Sequence, residues 1–554
     1  MAKRTSTAQR TKVSGNASNN IPTEKWLPWA LAALSLFLFS TGFKNEMLAI
    51  DDHTATIDNP AVTNFDIFSN FNLGMYAPLT WLGYAIAYLL GEDSSFWYHV
   101  FSALVHAANV VLVFQLFRQL HTSLTVAGFI AFFFAIHPLQ VEPVAWISGF
   151  STPLYAMFYL LALRFYVRHS LQEQLEKNYW MALGMFFLAC LSKSAAVALP
   201  LTLLVVDLWL KRGQNRRIWI EKIPFFALSL AFGALTLVSR QHAPPLDQPA
   251  DFSLLDRALM VCHTILFYWK MIVLPTGLSI WYPFEKTNGA WGWAYYASPL
   301  LLAAILYIAW RMRASMPVLW LGLLFFLTNV VLSLPWATFG SFELRSDRYN
   351  YVACLGIFAI ITALPTYFSQ KRPNLVGPMW GVLVLSGVIW LFTSGARIME
   401  WKDTITLIDS AIATNGDNFG KAYLSRGIIL ADQGKGDPAL QDFNKAINKN
   451  ALLVDVYKYR GNIMGLRKNY EQSVFDLTKY IEYFPEASPE IYNRGLSYVN
   501  LGKDTEALAD FNRCLEIDST FTRAYRARGN TYLKLGETAK GDADLQKYDR
   551  LTKK

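Results

Sequence analysis

The sequence predicts an all-α protein in which a polytopic membrane domain of about eleven transmembrane helices is followed by an α-solenoid. Three observations lead to this prediction. Hydrophobic residues make up 53% of the 554 residues and charged residues only 16%, against roughly 25% charged in an ordinary soluble protein. Near-spanning apolar runs fill residues 26–398, and the polar C-terminal region repeats with a fixed period. We therefore predict a disordered cytoplasmic leader at 1–25, the membrane domain at 26–398 and the solenoid at 399–554.

The apolar runs come first in the chain. A transmembrane helix needs about 20 apolar residues. Basic clusters test the count, because short cytoplasmic loops carry an excess of Lys and Arg. With eleven spans that begin inside, the leader and the basic segments at 164–168, 211–217, 311–313 and 370–372 all fall on the cytoplasmic side. The predicted spans are 27–43, 97–117, 124–137, 151–168, 179–192, 195–210, 222–239, 293–310, 316–336, 353–369 and 376–393.

A further apolar stretch at 257–278 would reverse this parity if it crossed the membrane. It carries Arg257 and Lys270, which a full span would bury at some cost. We predict a helix that lies in or dips into the outer interface. The odd count then places the first loop and the solenoid on the non-cytoplasmic side. The lack of outer-side cysteine pairs and the compact loops favour a bacterial inner membrane with a periplasmic solenoid.

The C-terminal region is an internal repeat. The dipeptide Arg-Gly recurs every 34 residues, and an Asp recurs with the same period. A 34-residue unit of two amphipathic helices, with small residues where the helices pack closely, is the tetratricopeptide pattern. Such solenoids usually present a concave surface to a protein or peptide, so binding is the predicted role. The repeated positions are Arg426, Arg460, Arg494 and Arg528, with Asp442, Asp476, Asp510 and Asp544.

Polar residues gather where the predicted spans reach the outer side. The stretch "AIDDHTATIDNP" offers Asp51, Asp52 and His53 directly after the first span. A carboxylate at the membrane edge can take a proton from a hydroxyl nucleophile. A hydrated loop explains the same residues equally well, and the composition alone does not choose between the two.

The stretch "FAIHPLQVEPVAWISG" places His137 and Glu142 between prolines at a span end. Its structural alternative is a proline-shaped helix terminus with a capping histidine. Arg345 and Arg348 in "ELRSDRYNYV" lie on the outer side against the usual bias of positive charge, and arginines suit bidentate phosphate binding. Their alternative is ion pairing with the acidic residues at 343 and 347.

Two more cations are candidates for an anionic ligand. Lys193 lies at the turn of an apolar hairpin, where a phosphate or simple snorkelling explains it, and Arg240 ends another span on the outer side. Sequence signatures of nucleotide-binding folds, zincins and serine hydrolases are absent. Asp51 and Asp52 are too few to establish a divalent metal site. The net charge of +9 lies largely in inter-span clusters, so nucleic acid is not a predicted partner.

The ordered motifs resemble those of a known family. They are "DDHTATIDNP", "YAPLTWLGYAIAYLLG", "FWYHVFSALVHAANVVLVFQLFRQL", "FAIHPLQVEPVAWISG", "LSKSAAVALPLTLLVVDLW", "FYWKMIVLPTGLSIWYP" and "DRYNYVACLG", followed by the repeats. In this order they resemble the transmembrane and tetratricopeptide-repeat O-mannosyltransferases and their bacterial relatives, within the GT-C superfamily. The resemblance implies an inverting transfer of a sugar, mannose in that family, from a polyprenyl-phosphate donor in the membrane lipid to Ser or Thr hydroxyls of an exported acceptor protein.

The resemblance also implies roles for the candidate residues. Asp51 or Asp52 becomes the catalytic base, with a slight preference for Asp52, and His53 stands beside it at the substrate. The match to "HPLQVE" brings its histidine and glutamate into the cavity. The match to "DRYNY" brings Arg348, together with Arg345 and Tyr349, to the lipid phosphate, where charge grows in the transition state.

This sequence departs from the family pattern at one point. After "WISG" the relatives commonly carry an Arg and an acidic residue, whereas this chain reads "FSTPLY", which leaves the donor sugar open. A second hypothesis is a non-catalytic scaffold whose spans anchor the repeats for protein assembly. A third, a transporter of lipid-linked sugar, ranks last because it requires polar groups in the middle of the spans.

Overall fold

Two units make up the chain, and both are built of helices. The first comprises residues 1–275 and 286–401, and the second comprises 276–285 and 402–554. Within the described part of the chain there is no strand, only an isolated bridge between Asn72 and Met75, so the all-α prediction is confirmed. Most of the predicted leader lies outside the described residues. The computed structural model describes residues 21–68, 71–72, 74–172, 176–213, 216–241, 252–284, 286, 289–336, 345–416, 419–449 and 453–553.

The first unit is a bundle of apolar helices, and each of the eleven predicted spans overlaps with one of them. Short 3-10 segments interrupt the bundle, most of them on the stretches that hold the candidate site. The α-helices of this unit are α1 (Ile21–Ser40), α2 (Asp52–Ala55), α3 (Pro60–Thr63), α4 (Pro78–Gly91), α5 (Ser95–Gln119), α6 (Leu124–Ile136), α7 (Val141–Ala145), α8 (Ser151–Leu171), α9 (Glu176–Ser192), α10 (Leu199–Trp209), α11 (Arg216–Arg240), α12 (Leu254–Val273), α13 (Trp293–Arg311), α14 (Pro317–Val330), α15 (Cys354–Phe368) and α16 (Pro373–Glu400).

The helices of this unit identify a membrane protein. Among the described residues, five helical stretches are long and apolar enough to cross a bilayer, or six if α6 and the segment Pro138–Ala145, which are bent by 51°, form one broken span. Apolar helices such as α15 are shorter than a full span, so eleven crossings remain a prediction. The interfacial helix predicted at 257–278 corresponds to α12, which is not one of these stretches. The five stretches are 95–119, 147–171, 216–240, 293–311 and 373–400.

The second unit consists of helix pairs, as the 34-residue period predicts. A Cβ added at Gly495 would lie 2.7 Å from Cε1 of Phe511 on the partner helix, so the repeated glycine permits the close packing within a pair. The helices are α17 (Thr404–Asn415), α18 (Gly420–Asp432), α19 (Gly436–Lys449), α20 (Asp455–Leu466), α21 (Tyr470–Tyr483), α22 (Ser488–Asn500), α23 (Asp504–Ile517), α24 (Thr522–Lys534) and α25 (Thr538–Thr552).

Each repeated arginine forms a bidentate ion pair with the repeated aspartate of its own helix pair. Arg494 donates to Asp510 at 2.7 and 2.9 Å, and its remaining guanidinium nitrogen donates to Thr478 of the preceding pair at 3.1 Å. The same geometry recurs at Arg426, Arg460 and Arg528. The period therefore reflects an ion-pair ladder that joins the two helices of a repeat and contacts the repeat before it.

A ten-residue segment from the middle of the chain completes the second unit. The side-chain amide of Asn415 at the end of α17 donates to Ser279 Oγ and to the carbonyl of Trp281, both at 3.1 Å. The Trp281 ring packs edge-on against Phe419, with ring centroids 5.8 Å apart. The sequence analysis placed this segment in the membrane domain, because its hydrogen bonds to α17 leave no trace in the repeat pattern.

Candidate active site

Asp52 lies at the first turn of α2 and is only 1% exposed. Its Oδ1 accepts hydrogen bonds from the backbone N–H and the hydroxyl of Ser148, at 2.8 and 2.6 Å, and its Oδ2 accepts from the Leu48 N–H at 2.9 Å. Burial raises the pKa of Asp52 to about 7, while these hydrogen bonds lower it and the neighbouring Asp51 raises it. A carboxyl with a pKa near neutrality is suited to proton transfer.

Asp51 and His53 differ from Asp52, because both are exposed. Asp51 adopts a left-handed backbone conformation with φ of 65°, which Asp tolerates better than most residues. The turn that this creates directs the Asp52 side chain inwards and leaves its two neighbours at the surface. The two adjacent acids therefore have distinct environments, which the sequence alone does not distinguish.

His137 ends α6 and is completely buried. Its Nδ1 accepts a hydrogen bond from the Leu139 N–H at 3.2 Å, and its Nε2 lies 3.0 Å from the carbonyl oxygen of Ile272. Both ring nitrogens are therefore engaged within the protein, as in the capping interpretation. Pro138 follows at the first position of a 3-10 turn and prevents α6 from continuing.

Glu142 is buried between two segments of the predicted site. Its carboxylate accepts from the Asp347 N–H at 2.8 Å, from the Arg348 guanidinium at 2.5 Å and from the Ser346 hydroxyl. The structure thus joins "HPLQVE" to "DRYNY", which are separated by about 200 residues of sequence. Charge-assisted bonds of this kind fix the position of the guanidinium.

Two residues that sequence reasoning did not select connect these groups. The Trp146 ring lies under Arg348, 5.1 Å from its guanidinium carbon, and its Nε1–H donates to the Ile50 carbonyl at 3.2 Å. Ser148, two residues later, holds Asp52. A Cβ added at the next residue, Gly149, would lie 3.1 Å from the Glu142 carbonyl oxygen. The segment "WISG" therefore places the carboxyl of Asp52 and the Glu142–Arg348 pair in one region.

Lys193 belongs to the same region. Its ammonium group donates to the Thr152 hydroxyl at 2.6 Å. The pKa of Lys193 is lowered to about 7, because burial and the positive charge of Arg348 lower it more than the negative charge of Glu142 raises it. Thr152 comes from "FSTPLY", the point of departure from the family pattern, so a hydroxyl here contacts a cation of the site.

The remaining candidates are less closely connected to this group. Arg345 is buried and lies within 2.9–3.1 Å of His263, Thr264 and Tyr295. Tyr349 lies beside Arg348, with its ring centroid 5.3 Å from the guanidinium carbon.

Arg240 is exposed at the end of α11. Among the described residues, no hydrogen bond or ion pair joins it to another candidate. Asp347, offered in the sequence analysis as an alternative partner of the two arginines, accepts a hydrogen bond from Arg397 at 2.7 Å. Position 343 lies outside the described residues.

Comparison with known proteins gives two kinds of match. A family model described as tetratricopeptide repeat matches residues 491–521. Protein O-mannosyl-transferase tmtc2 of Xenopus laevis is 27% identical over 41% of this chain, and protein O-mannosyl-transferase F38B6.6 of Caenorhabditis elegans is 23% identical over 72% of it. Protein O-mannosyl-transferase TMTC4 of Mus musculus is 23% identical over 75%. The resemblance to the O-mannosyltransferases is confirmed.

These matches cover 28%, 59% and 65% of the relatives' own lengths, so the chain spans less than two thirds of each O-mannosyltransferase relative.

No group of three His, Cys, Asp or Glu side chains in the described part of the chain is arranged to hold a metal ion. Within the described part of the chain, the Asp52 carboxylate accepts three hydrogen bonds from protein donors. The chemical groups that the site brings together are therefore one carboxyl of raised pKa and two cations, one of them held by Glu142.

Proposed function

We propose that this protein is an inverting glycosyltransferase of the GT-C type, which transfers a hexose, with mannose as the first candidate, from a polyprenyl-phosphate donor to Ser or Thr hydroxyls of exported proteins. The observation that carries the proposal is the buried Asp52 carboxyl with a pKa of about 7, in one region with Arg348 and Lys193. A base and an anion-binding pair are the two elements that such a transfer requires.

Asp52 is the proposed base. A carboxylate has about four lone-pair sites, and three are used by Ser148 and Leu48, which leaves one for the acceptor proton. The acceptor oxygen forms a bond to the anomeric carbon from the face opposite the phosphate. The bond between that carbon and the phosphate oxygen breaks, the proton goes to Asp52, and the configuration inverts.

Arg348 and Lys193 are proposed to bind the phosphate of the donor. Negative charge grows on the leaving polyprenyl phosphate as its bond breaks, and a preorganised cation stabilises that charge most strongly in the transition state. Glu142 acts as a positioning residue, because it holds the Arg348 guanidinium at 2.5 Å. Arg345 and Tyr349 extend this side of the site, while Arg240 is proposed only as an outer contact of the lipid headgroup.

The proposed orientation follows the charge rule. The leader is cytoplasmic, and the site and the repeats face the periplasm across a bacterial inner membrane. The repeats bind the acceptor protein, and the donor reaches the site from the membrane. A reporter-fusion map that places position 480 in the cytoplasm would contradict the proposal that the site and the repeats lie on the same side of the membrane.

The test is mass spectrometry of exported proteins from cells that carry the wild type, Asp51→Asn, Asp52→Asn or no copy of the gene. We expect hexose-sized additions on Ser or Thr to disappear in the null strain and in Asp52→Asn, and to persist in Asp51→Asn. Loss only in Asp51→Asn would move the base to the exposed carboxylate. Identical glycan masses in all four strains, with other null phenotypes retained, would favour the scaffold hypothesis.

A further inference from the structure

Three amide side chains, all completely buried, lie on three separate segments of the membrane unit. Asn109 lies near the middle of α5, Gln140 belongs to "HPLQVE", and Asn350 belongs to "DRYNY". Burial of an amide is costly unless it forms hydrogen bonds, and buried polar groups in a membrane domain are often functional. The proposed mechanism uses none of these three side chains.

The three segments meet around Tyr351 and Cys354. The Asn109 amide donates to the Tyr351 hydroxyl at 3.0 Å. The Gln140 amide donates to Cys354 Sγ at 3.3 Å, and the Cys354 thiol donates to the Tyr351 carbonyl at 3.4 Å. Asn350 directly precedes Tyr351 and lies four residues, about one helical turn, before Cys354. These contacts bring the three amides into one buried region.

The hydrogen-bonding capacity of these amides is only partly used. Asn109 donates to Tyr351 and, at 2.8 Å, to the Pro153 carbonyl, but its Oδ1 accepts no hydrogen bond from any described residue. Gln140 Oε1 likewise has no partner within the described ranges, and neither Oδ1 nor Nδ2 of Asn350 has one there. Three acceptor oxygens and one N–H donor group are therefore open to a ligand.

The chemistry of this set matches water. A cation cannot accept the hydrogen bonds that the Asn350 N–H group offers, and the three neutral oxygens provide no negative charge to offset the burial of a positive one. A water molecule both donates and accepts, and buried water typically forms about three hydrogen bonds to groups that lack other partners. Three acceptors exceed the two hydrogen bonds that one water molecule can donate, so the site suits a small water cluster.

We propose that Asn109, Gln140 and Asn350 form a site for internal water, and that Asn350 acts through this site as a positioning residue for Arg348. Arg348 and Asn350 belong to the same 3-10 turn, Asp347–Asn350. Hydrogen bonds that fix Asn350 therefore also fix the backbone that carries the arginine. The expected effect on transfer rests on the proposed function, whereas the water site itself does not.

Hydroxyl-radical labelling of the full-length protein in detergent micelles, by X-ray radiolysis and mass spectrometry, tests the water site. Radicals that form from internal water label the side chains beside it, even where bulk water does not reach. Cys354 is the reporter, and Cys514 is the matched control, because it is equally buried but lies in an apolar cluster of the repeats. We expect label on Cys354 and none on Cys514. Equal labelling of the two, as a direct Gln140–Asn350 hydrogen bond would give, would overturn the proposal.

Substitutions at the site test which side chains hold the water. Asn350→Leu replaces the amide with an apolar side chain of similar branching, and the label on Cys354 should be lost. Asn350→Thr keeps a donor and an acceptor and should retain the label. Gln140→Leu removes another of the open oxygens and provides the same test if Asn350→Leu does not fold. Full labelling of Cys354 in the folded leucine variants would contradict the site.

Asn329→Leu on α14 is the control for these variants. It removes an amide whose N–H groups already donate to Thr202 Oγ1 at 3.2 Å and to the Phe325 carbonyl at 2.8 Å. The label on Cys354 should therefore remain at its wild-type level. An equal loss of label in Asn329→Leu and Asn350→Leu would mean that loosening of the bundle, and not the water site, controls the labelling.

A double-mutant cycle tests the positioning role. We expect Asn350→Leu to lower the transfer rate about tenfold when Arg348 is present, because a displaced cation stabilises the leaving phosphate less well. In the Arg348→Gln background it should have no further effect, since the two residues act as a unit. Equal losses in both backgrounds would contradict the positioning role. Label on Cys354 in a wild-type protein that transfers no sugar would contradict the transferase and leave the water site standing.

Discussion

The candidate active site and the repeat unit both contain arginine–carboxylate pairs, and they use them in different ways. In the site, the Glu142–Arg348 pair occurs once, and its geometry joins two distant segments of the chain. In the repeats, the Arg494–Asp510 pair is one of four equivalent pairs. The difference indicates that the repeats can lose one pair and keep their architecture, whereas the site has no second copy of the contact that holds its phosphate-binding arginine.

The largest expected effect comes from Glu142→Gln. The substitution removes the buried negative charge that holds Arg348, and breaking a buried ion pair costs about 3 to 5 kcal/mol. We expect glycosyl transfer by the reconstituted protein to fall about a hundredfold or more, because the arginine no longer has a fixed position for the leaving phosphate. Measurement of the rate at saturating and at low donor concentration checks this.

Glu400→Gln is the control for that experiment. Glu400 also faces an arginine, Arg397, at 3.3 Å, but its side chain is 36% exposed, so the loss of its charge is compensated by water. Transfer should remain close to the wild-type rate. Similar losses in both variants would show that the activity responds to any charge change in this unit and would remove the special role of Glu142.

A smaller effect is expected from Arg494→Ala in the ladder. The variant leaves Asp510 largely buried without its bidentate partner and removes the contact to Thr478. We expect a cost of about 2 to 3 kcal/mol, below that of a fully buried pair because the guanidinium is partly exposed. Hydrogen exchange of the full chain should show faster opening of α22 and α23 with little change in the membrane helices, since repeats depend on their neighbours.

Arg528→Ala sharpens this prediction. Its pair with Asp544 has the same geometry, and in the described part of the chain the α24–α25 pair packs against one other helix pair, α22–α23. The faster local opening, measured by hydrogen exchange, should therefore remain confined to α24 and α25. An effect that extends equally far in both variants would contradict a ladder of nearest-neighbour contacts.

The same contrast explains how much the sequence could predict. Helices were predictable in both regions, because apolar runs and a 34-residue period are repeated signals. Glu142 and Arg348 were predictable from the family resemblance. Ser148 and Trp146 were not, because a serine and a tryptophan at a span end are ordinary residues and only the fold brings them to Asp52 and Arg348. The one available signal was the polar turn "WISG" between two apolar helices. Asp51 and Asp52 could not be separated, because their difference in burial depends on the left-handed turn.

The next prediction concerns the pH dependence of the transfer rate. Proton acceptance requires the ionised form of Asp52, so a pKa of about 7 predicts an acidic limb of the transfer rate near pH 7, well above the ordinary range of an aspartate. Lys193 loses its charge as the pH rises through its own pKa of about 7, which predicts an alkaline limb as well. The Ser148 hydroxyl lowers this pKa, and Ser148→Ala should therefore move the acidic limb to higher pH. The rates of the variant and the wild type should converge at alkaline pH.

Ser148→Thr keeps a hydroxyl and is the matched control for the pH profile, with an acidic limb that should stay near that of the wild type. At pH 7 we expect Ser148→Ala to be slower by up to about tenfold, the effect of one pKa unit. An unchanged limb in Ser148→Ala, with the same overall loss at every pH, would mean that the hydroxyl positions the loop and does not tune the base.

The smallest expected effect tests whether the stability of the repeats depends on the burial of their ion pairs or on the number of those pairs. Lys479 and Glu482 form an exposed pair at 3.0 Å on α21, in the repeat that contains the Arg460–Asp476 pair. Exposed pairs gain little, because water solvates both charges and two flexible side chains must be ordered. Hydrogen exchange of α20 and α21 should therefore not change in Lys479→Ala, whereas Arg460→Ala should accelerate it. Equal acceleration in both would show that exposed and buried pairs contribute alike to the stability of this unit and would contradict the special role of the buried ladder.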